Sequence, residues 1–115
     1  MKVTSYYPVI MTSEVAGTAA FYQRLGFQLL DGDLGEGLSL QLASARLHLR
    51  QRPALGSRRS IQVWLVCDDI DRQYRRLSAV MPIDAPQVAF HGDIVLGLSD
   101  PEGHRVAFSA PATDI

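Results

Sequence analysis

The chain has only one cysteine, Cys67, so no internal disulfide can form, and a cytoplasmic location is expected. Cys67 falls in a strand-like run, IQVWLVC, where a small buried hydrophobe is the simpler reading than a nucleophile. No apolar run approaches the roughly 20 residues that cross a bilayer. The opening MKVTSYY has one lysine and no apolar stretch behind it, so no secretory signal is expected. Charge of one sign is also missing: the net charge is −1 over 115 residues, which excludes the broad basic field of a general nucleic-acid binder. There is no Ser-His-Asp order, no Cys-His context, and no glycine loop before a helix that could cradle a phosphate. Gly32, Gly35 and Gly37, with Asp31 and Asp33, instead read as a turn-rich break between strands.

What is present is clear patterning. Tyr7 to Thr12 is mostly β-branched or apolar and reads as a strand. Ser13 or Glu14 then caps a helix whose Val15, Ala19, Tyr22 and Leu25 recur at helical spacing, and Gly26 stops it. Three strands are expected next: Phe27–Leu30, Gly37–Leu42, and Arg46–Arg50 after a tight turn at residues 43–45. Leucines 38, 40, 42, 47 and 49 alternate with Ser39, Gln41, Arg46, His48 and Arg50, so each strand has one apolar and one polar face. Gln51–Ser60, with Pro53 and Gly56, reads as a linker.

The same order then recurs. Ile61–Cys67 is a strand, and Asp68 or Asp69 caps a helix running to about Val80, ended by Pro82 and Pro86. Ile70, Tyr74 and Leu77 face inward in that helix, while Arg72, Arg75 and Arg76 stay in solvent. The Asp68, Asp69 and Asp71 cluster is explained by capping and the helix dipole. Gln87–Phe90, Ile94–Leu98 and Arg105–Ser109 complete the repeat, the last two joined by the turn Ser99–His104. The chain is therefore read as one domain over 1–115, α+β, with two βαβββ modules at about 1–54 and 58–115. Each helix covers one face of a mixed sheet, and the other face must curl into a cup or meet a partner.

AAFYQRLGF, VCDDIDRQYRRL and SDPEGHRVAFSAP, in this order and on this repeat, resemble the glyoxalase, bleomycin-resistance and extradiol-dioxygenase superfamily, the vicinal oxygen chelate fold. The opening PVIMTSEVAGTAAFY and the strand carrying Trp64 are most similar to the small bleomycin-resistance-type members. The resemblance implies helices outside curled sheets, and a homodimer in which strands from both chains line each cup. It also implies a divalent metal in the enzymes of the family, on four positions that fall here at Tyr7, His48, Gln62 and Ala107. Ala107 cannot ligate, and a catalytic site needs about three protein ligands with an open position. His48 and Gln62 are the weak metal candidates. His91 and His104 lie in expected turns and do not restore the set, so no cofactor is expected.

Alternation names the cup. Tyr7 and Met11 share the face of Gln41, Arg46, His48 and Arg50, and Gln62, Trp64 and Arg105 share the face of the second module. Aromatic faces stack planar ligands, and guanidinium groups bind carboxylate or phosphate in a forked geometry. Each residue also has a plainer use: Trp64 as core or interface filler, Arg46 and Arg50 as charges guarding a sheet edge. The expected function is metal-independent binding or sequestration of a planar small molecule, anions included, such as a metabolite or antibiotic. No nucleic acid or membrane partner is expected. The alternatives are a divalent-metal-dependent lyase, isomerase or dioxygenase of the same superfamily, and a structural dimer whose cup is filled by its own side chains.

Overall fold

A computed structural model describes residues 1–52, 60–89 and 92–111. The elements in chain order are β1 (Val9–Thr12), α1 (Val15–Arg24), β2 (Gln28–Asp33), β3 (Gly37–Leu42), β4 (Ala45–Gln51), β5 (Gln62–Val66), α2 (Ile70–Ser78), β6 (Gln87–Val88), β7 (Ile94–Ser99) and β8 (Arg105–Ala110). This is the expected βαβββ unit twice over. Each half forms a four-stranded mixed sheet, in order β1-β4-β3-β2 and β5-β8-β7-β6. The first and last strands of each half run parallel at the centre-to-edge pair, and the remaining neighbours are antiparallel.

Local chemistry accounts for the boundaries. Glu14, not Ser13, caps α1, its carboxylate accepting from the Gly17 N–H at 2.9 Å. Asp69 caps α2 through the Arg72 N–H at 3.0 Å. Gly26 ends the first helical segment at φ +114, a region that glycine enters without steric penalty. β1 starts at Val9, two residues later than the pattern predicts. Pro8 has no N–H for a ladder, although its carbonyl accepts from the His48 N–H at 3.0 Å. α2 stops at Ser78, and the Val80 and Met81 N–H groups both turn back to the Leu77 carbonyl at 3.0 Å. Pro82 disfavours helical backbone at the residue before it, which explains the early end.

The largest departure is β2. The expected turn over Asp31-Gly32-Asp33 is strand, paired to Ser39, Leu38 and Gly37, with the register shifting between Leu29 and Asp31. The bulge absorbs one extra residue, Leu30, and beyond it Gly32 pairs at φ +112, where a Cβ would lie 2.1 Å from the Gly37 carbonyl oxygen. The turn after β3 is also shorter than expected, since Ala45 already pairs with Leu42. It places Ala43 at φ 53, a left-handed conformation that alanine adopts at a cost. Of the expected last-module strand 87–90, only Gln87–Val88 is strand, and Phe90 lies outside the described residues, as do His91 and most of the expected linker.

One core runs through both halves. Ile10, Tyr22, Leu25, Leu40, Leu47 and Leu49 from the first join Leu77, Leu96, Val106 and Phe108 from the second, all buried. Tyr22 packs edge-on against Phe21 and Phe27, with ring centroids 5.3 and 5.7 Å apart. Tyr74, expected inside, is only partly buried against this core.

Polar bonds across the two halves converge on the turn between β7 and β8. The Asp100 carboxylate turns the chain by accepting from the Glu102 and His104 N–H groups, both at 2.9 Å. Its other oxygen accepts from the buried Tyr22 hydroxyl at 2.7 Å. Burial, then this bond to Asp100, raises the Tyr22 phenol above its usual range. His104, at the end of the expected turn, is buried. Its Nδ1 accepts from the Ile61 N–H at 2.9 Å, which leaves the proton on Nε2 to donate to the Met11 carbonyl at 3.0 Å. Glu102 Oε1 accepts from the Ser13 hydroxyl and N–H and from the Thr12 hydroxyl. From the α2 side, the Arg76 guanidinium donates to the Leu25 carbonyl, so Arg76 is tied to the end of α1 instead of standing free in solvent.

Two outcomes follow for stability. Ala43→Gly raises it by about 0.5–1 kcal/mol, because the left-handed penalty removed exceeds the entropy that glycine adds; a urea midpoint that falls contradicts this. The Ser13 hydroxyl, then the Ser13 N–H, the Thr12 hydroxyl and the Arg52 charge, hold the Glu102 carboxyl down to about 2 from an ordinary 4.5, against the opposing effect of burial. A depressed carboxyl stabilises the fold above its unfolded pKa and loses that effect as the pH falls through the folded one. The stability gap between the protein and Glu102→Gln is therefore full above pH 4.5 and closes towards pH 2; a gap independent of pH across that window contradicts the assignment.

Candidate functional site

The helices cover one face of each sheet, and the residues that alternate with the core form the other. In the first sheet β4 pairs Val9 with His48 and Met11 with Arg50 on one side, and Ser39 with His48 and Gln41 with Arg46 on the other. In the second, Gln62 pairs with Arg105, and Trp64 with Ala107, which faces Gly97. Alternation thus puts eight of the nine expected site residues on the faces away from the helices, and Tyr7 lies just before β1.

They do not all meet in one cavity. The larger cavity, about 1170 Å³, runs along β5 and collects Tyr7, Arg46, Gln62 and Trp64. Tyr7 is 49% and Trp64 43% exposed, so large aromatic surface is left to solvent at the cavity wall. The Trp64 indole N–H donates to the Gln62 side-chain carbonyl at 3.1 Å. A smaller cavity of about 320 Å³ lies on the second sheet and holds Arg105, with Trp64 again in its wall. Met11, Gln41, His48 and Arg50 line neither. Met11 is half-buried and its carbonyl is engaged by His104. The Gln41 amide folds back onto the Ala43 carbonyl at 2.8 Å. His48 is half-buried, its Nδ1 3.0 Å from the Ser39 hydroxyl and its ring 6.4 Å from that of Tyr7.

Sequence reasoning missed a large part of the groove. Val63 and Leu65, which alternation assigns to the core side, line it together with Gln62, Trp64 and Val66, as do Phe27 and Arg76. Residues of both parities can reach the cavity because β5 is the edge strand of its sheet, so the groove follows an edge as well as a face. Cys67 ends this wall, half-buried, and burial pushes its thiol up, away from reactive thiolate. No periodicity within one strand reports such an edge.

The donor set does not suit the divalent metal that the fold's enzymes carry. Ala107 offers no ligand atom, and the Gln62 carbonyl oxygen already accepts from Trp64. Among the described residues no three His, Cys, Asp or Glu side chains come together in a way that could hold a metal ion. Arg46, Arg50 and Arg105 have no side-chain partner among the described residues, so their charges face solvent or the cavities. Among those residues no helix is long and apolar enough to cross a membrane.

No family model and no curated relative matches the chain. Solved structures do. A bleomycin resistance determinant encoded on the transposon Tn5 is 25% identical, with a TM-score of 0.80 over 96% of this chain and 100% of that one. A bleomycin-binding protein complexed with bleomycin is 24% identical, with a TM-score of 0.77 over 97% and 100%. A lactoylglutathione lyase from Agrobacterium tumefaciens is 16% identical, with a TM-score of 0.76 over 95% of each chain. The chain has the vicinal oxygen chelate fold of the glyoxalase and bleomycin-resistance superfamily, as its sequence motifs imply.

Proposed function

We propose that the protein binds a small planar molecule in the β5 groove without a metal, sequestering a metabolite or antibiotic, anions included. The observation that carries this reading is the joint exposure of Tyr7 and Trp64 on one cavity of about 1170 Å³, with Arg46 and Gln62 beside them. Exposed aromatic faces in a concave site are suited to stacking, and a few polar groups among apolar walls fix orientation. The groove is open, which argues against a cup packed by its own side chains. The bleomycin-binding likeness supports a binding role of this kind. Bleomycin itself is large and cationic, and a cup carrying Arg46 and Arg105 is poorly matched to it.

A second copy of the chain completes the cup in this reading. Val66, on the same face of the second sheet as Trp64, is 77% exposed. Apolar surface gathered on one face is the mark of an interaction site. A homodimer covering it places the first sheet of one chain, with His48 and Arg50, against the second sheet of its partner.

Trp64 is the only tryptophan, so its emission reports the groove directly. Titration with anthraquinone-2-sulfonate, a planar quencher, gives saturable quenching, and Tyr7→Ala weakens binding by roughly three- to tenfold. Linear, non-saturating quenching that Tyr7→Ala leaves unchanged contradicts the reading.

A further inference from the structure

The smaller cavity carries chemistry that planar stacking does not use. Its volume, about 320 Å³, suits a short polar head group, and its walls include Asp84, Gln87, Val95, Gly97 and Arg105, with Trp64 shared with the groove. Trp64 therefore stands between a site for an aromatic body and a site for something polar attached to it.

Two opposite charges reach this cavity without neutralising one another. Neither Asp84 nor Arg105 has a side-chain partner among the described residues. The Arg105 guanidinium lies across Gly97, where a Cβ would fall 2.4 Å from its Nη2 and 2.9 Å from its Cζ. Glycine at this position makes room for the guanidinium over the strand, and a methyl group there displaces it. The obstructing atoms belong to the far end of a flexible side chain, so Gly97→Ala moves Arg105 with little effect on the fold.

Charge balance then selects the ligand class. A simple anion gains Arg105 but meets repulsion from Asp84, and a simple cation meets the reverse. A group carrying both a carboxylate and an ammonium or N–H donor satisfies both walls, the carboxylate through the forked guanidinium and the donor through the Asp84 oxygens. We propose that the cavity lined by Asp84, Gly97 and Arg105 receives the amino-carboxylate head of an aromatic ligand whose ring lies against Trp64. This rests on the groove reading above and names the chemistry at its polar end. Gly97 and Arg105 are its specificity-determining pair.

The test is calorimetric titration of the full chain with L-phenylalanine, phenethylamine and 3-phenylpropionate, which share a ring and differ in the head group. Phenylalanine binds about tenfold more tightly than either analogue, the loss expected when a charged hydrogen bond is removed. Arg105→Gln brings phenylalanine down to phenethylamine, and Asp84→Asn brings it down to 3-phenylpropionate. Gly97→Ala weakens the two carboxylates and spares the amine. Equal binding of all three probes, or an order that these variants leave unchanged, overturns the proposal. If none of the three binds while anthraquinone-2-sulfonate still quenches Trp64 saturably, the head-group assignment fails and the groove stands; if that quenching fails too, both fall.

Discussion

The seating of the β7–β8 turn on the start of the first module is the constraint from which the rest follows. Asp100 shapes the turn and holds Tyr22, His104 joins β1 to Ile61 just before β5, and Glu102 receives Ser13 and Thr12. Tyr22, Asp100, His104 and Thr12 are buried, so a bond lost there leaves a partner without water to replace it. The joint fixes one half of the molecule against the other, and it engages both ring nitrogens of His104 and both carboxylate oxygens of Asp100.

The position of the groove depends on that joint. Ile61, whose N–H reaches His104, immediately precedes β5, so the joint sets where the edge of β5 begins. The Arg76 bond to Leu25 draws α2 to the end of α1 and closes the far side. Between these two ties, Tyr7 and Phe27 from the first half face Trp64 and Val63 from the second. Ligand binding that moved either tie would change the stability of the whole molecule, which makes thermal midpoints a sensitive reporter of occupancy.

Much of this was legible in the residues. The two βαβββ units, the helix at Val15, the capping Asp69 and the alternation of Leu38, Leu40, Leu47 and Leu49 all follow from period and capping chemistry. What was not legible depended on pairing across the chain. Asp31-Gly32-Asp33 has the composition of a turn, yet becomes strand because β3 supplies partners and a bulge takes up the surplus residue. His104 and Asp100 looked like ordinary turn residues because their partners, Met11, Ile61 and Tyr22, are distant in sequence. The expected cup residues were placed by strand parity alone, and parity cannot show which of them a cavity gathers. Tyr7, Arg46, Gln62 and Trp64 share the groove, whereas His48, Gln41, Met11 and Arg50 line neither cavity.

The central claim is a binding groove that works without a metal, on a fold whose enzymes use one. Its most direct test is elemental analysis of purified, tag-free protein, with thermal midpoints measured on adding Ni²⁺, Zn²⁺, Mn²⁺ and Fe²⁺. The account predicts metal well below one equivalent per chain and midpoints that the four ions leave unchanged, in the protein and in His48→Ala alike. About one equivalent per chain, lost in His48→Ala together with a metal-dependent rise in the midpoint, would contradict it and make metal-dependent chemistry the leading function.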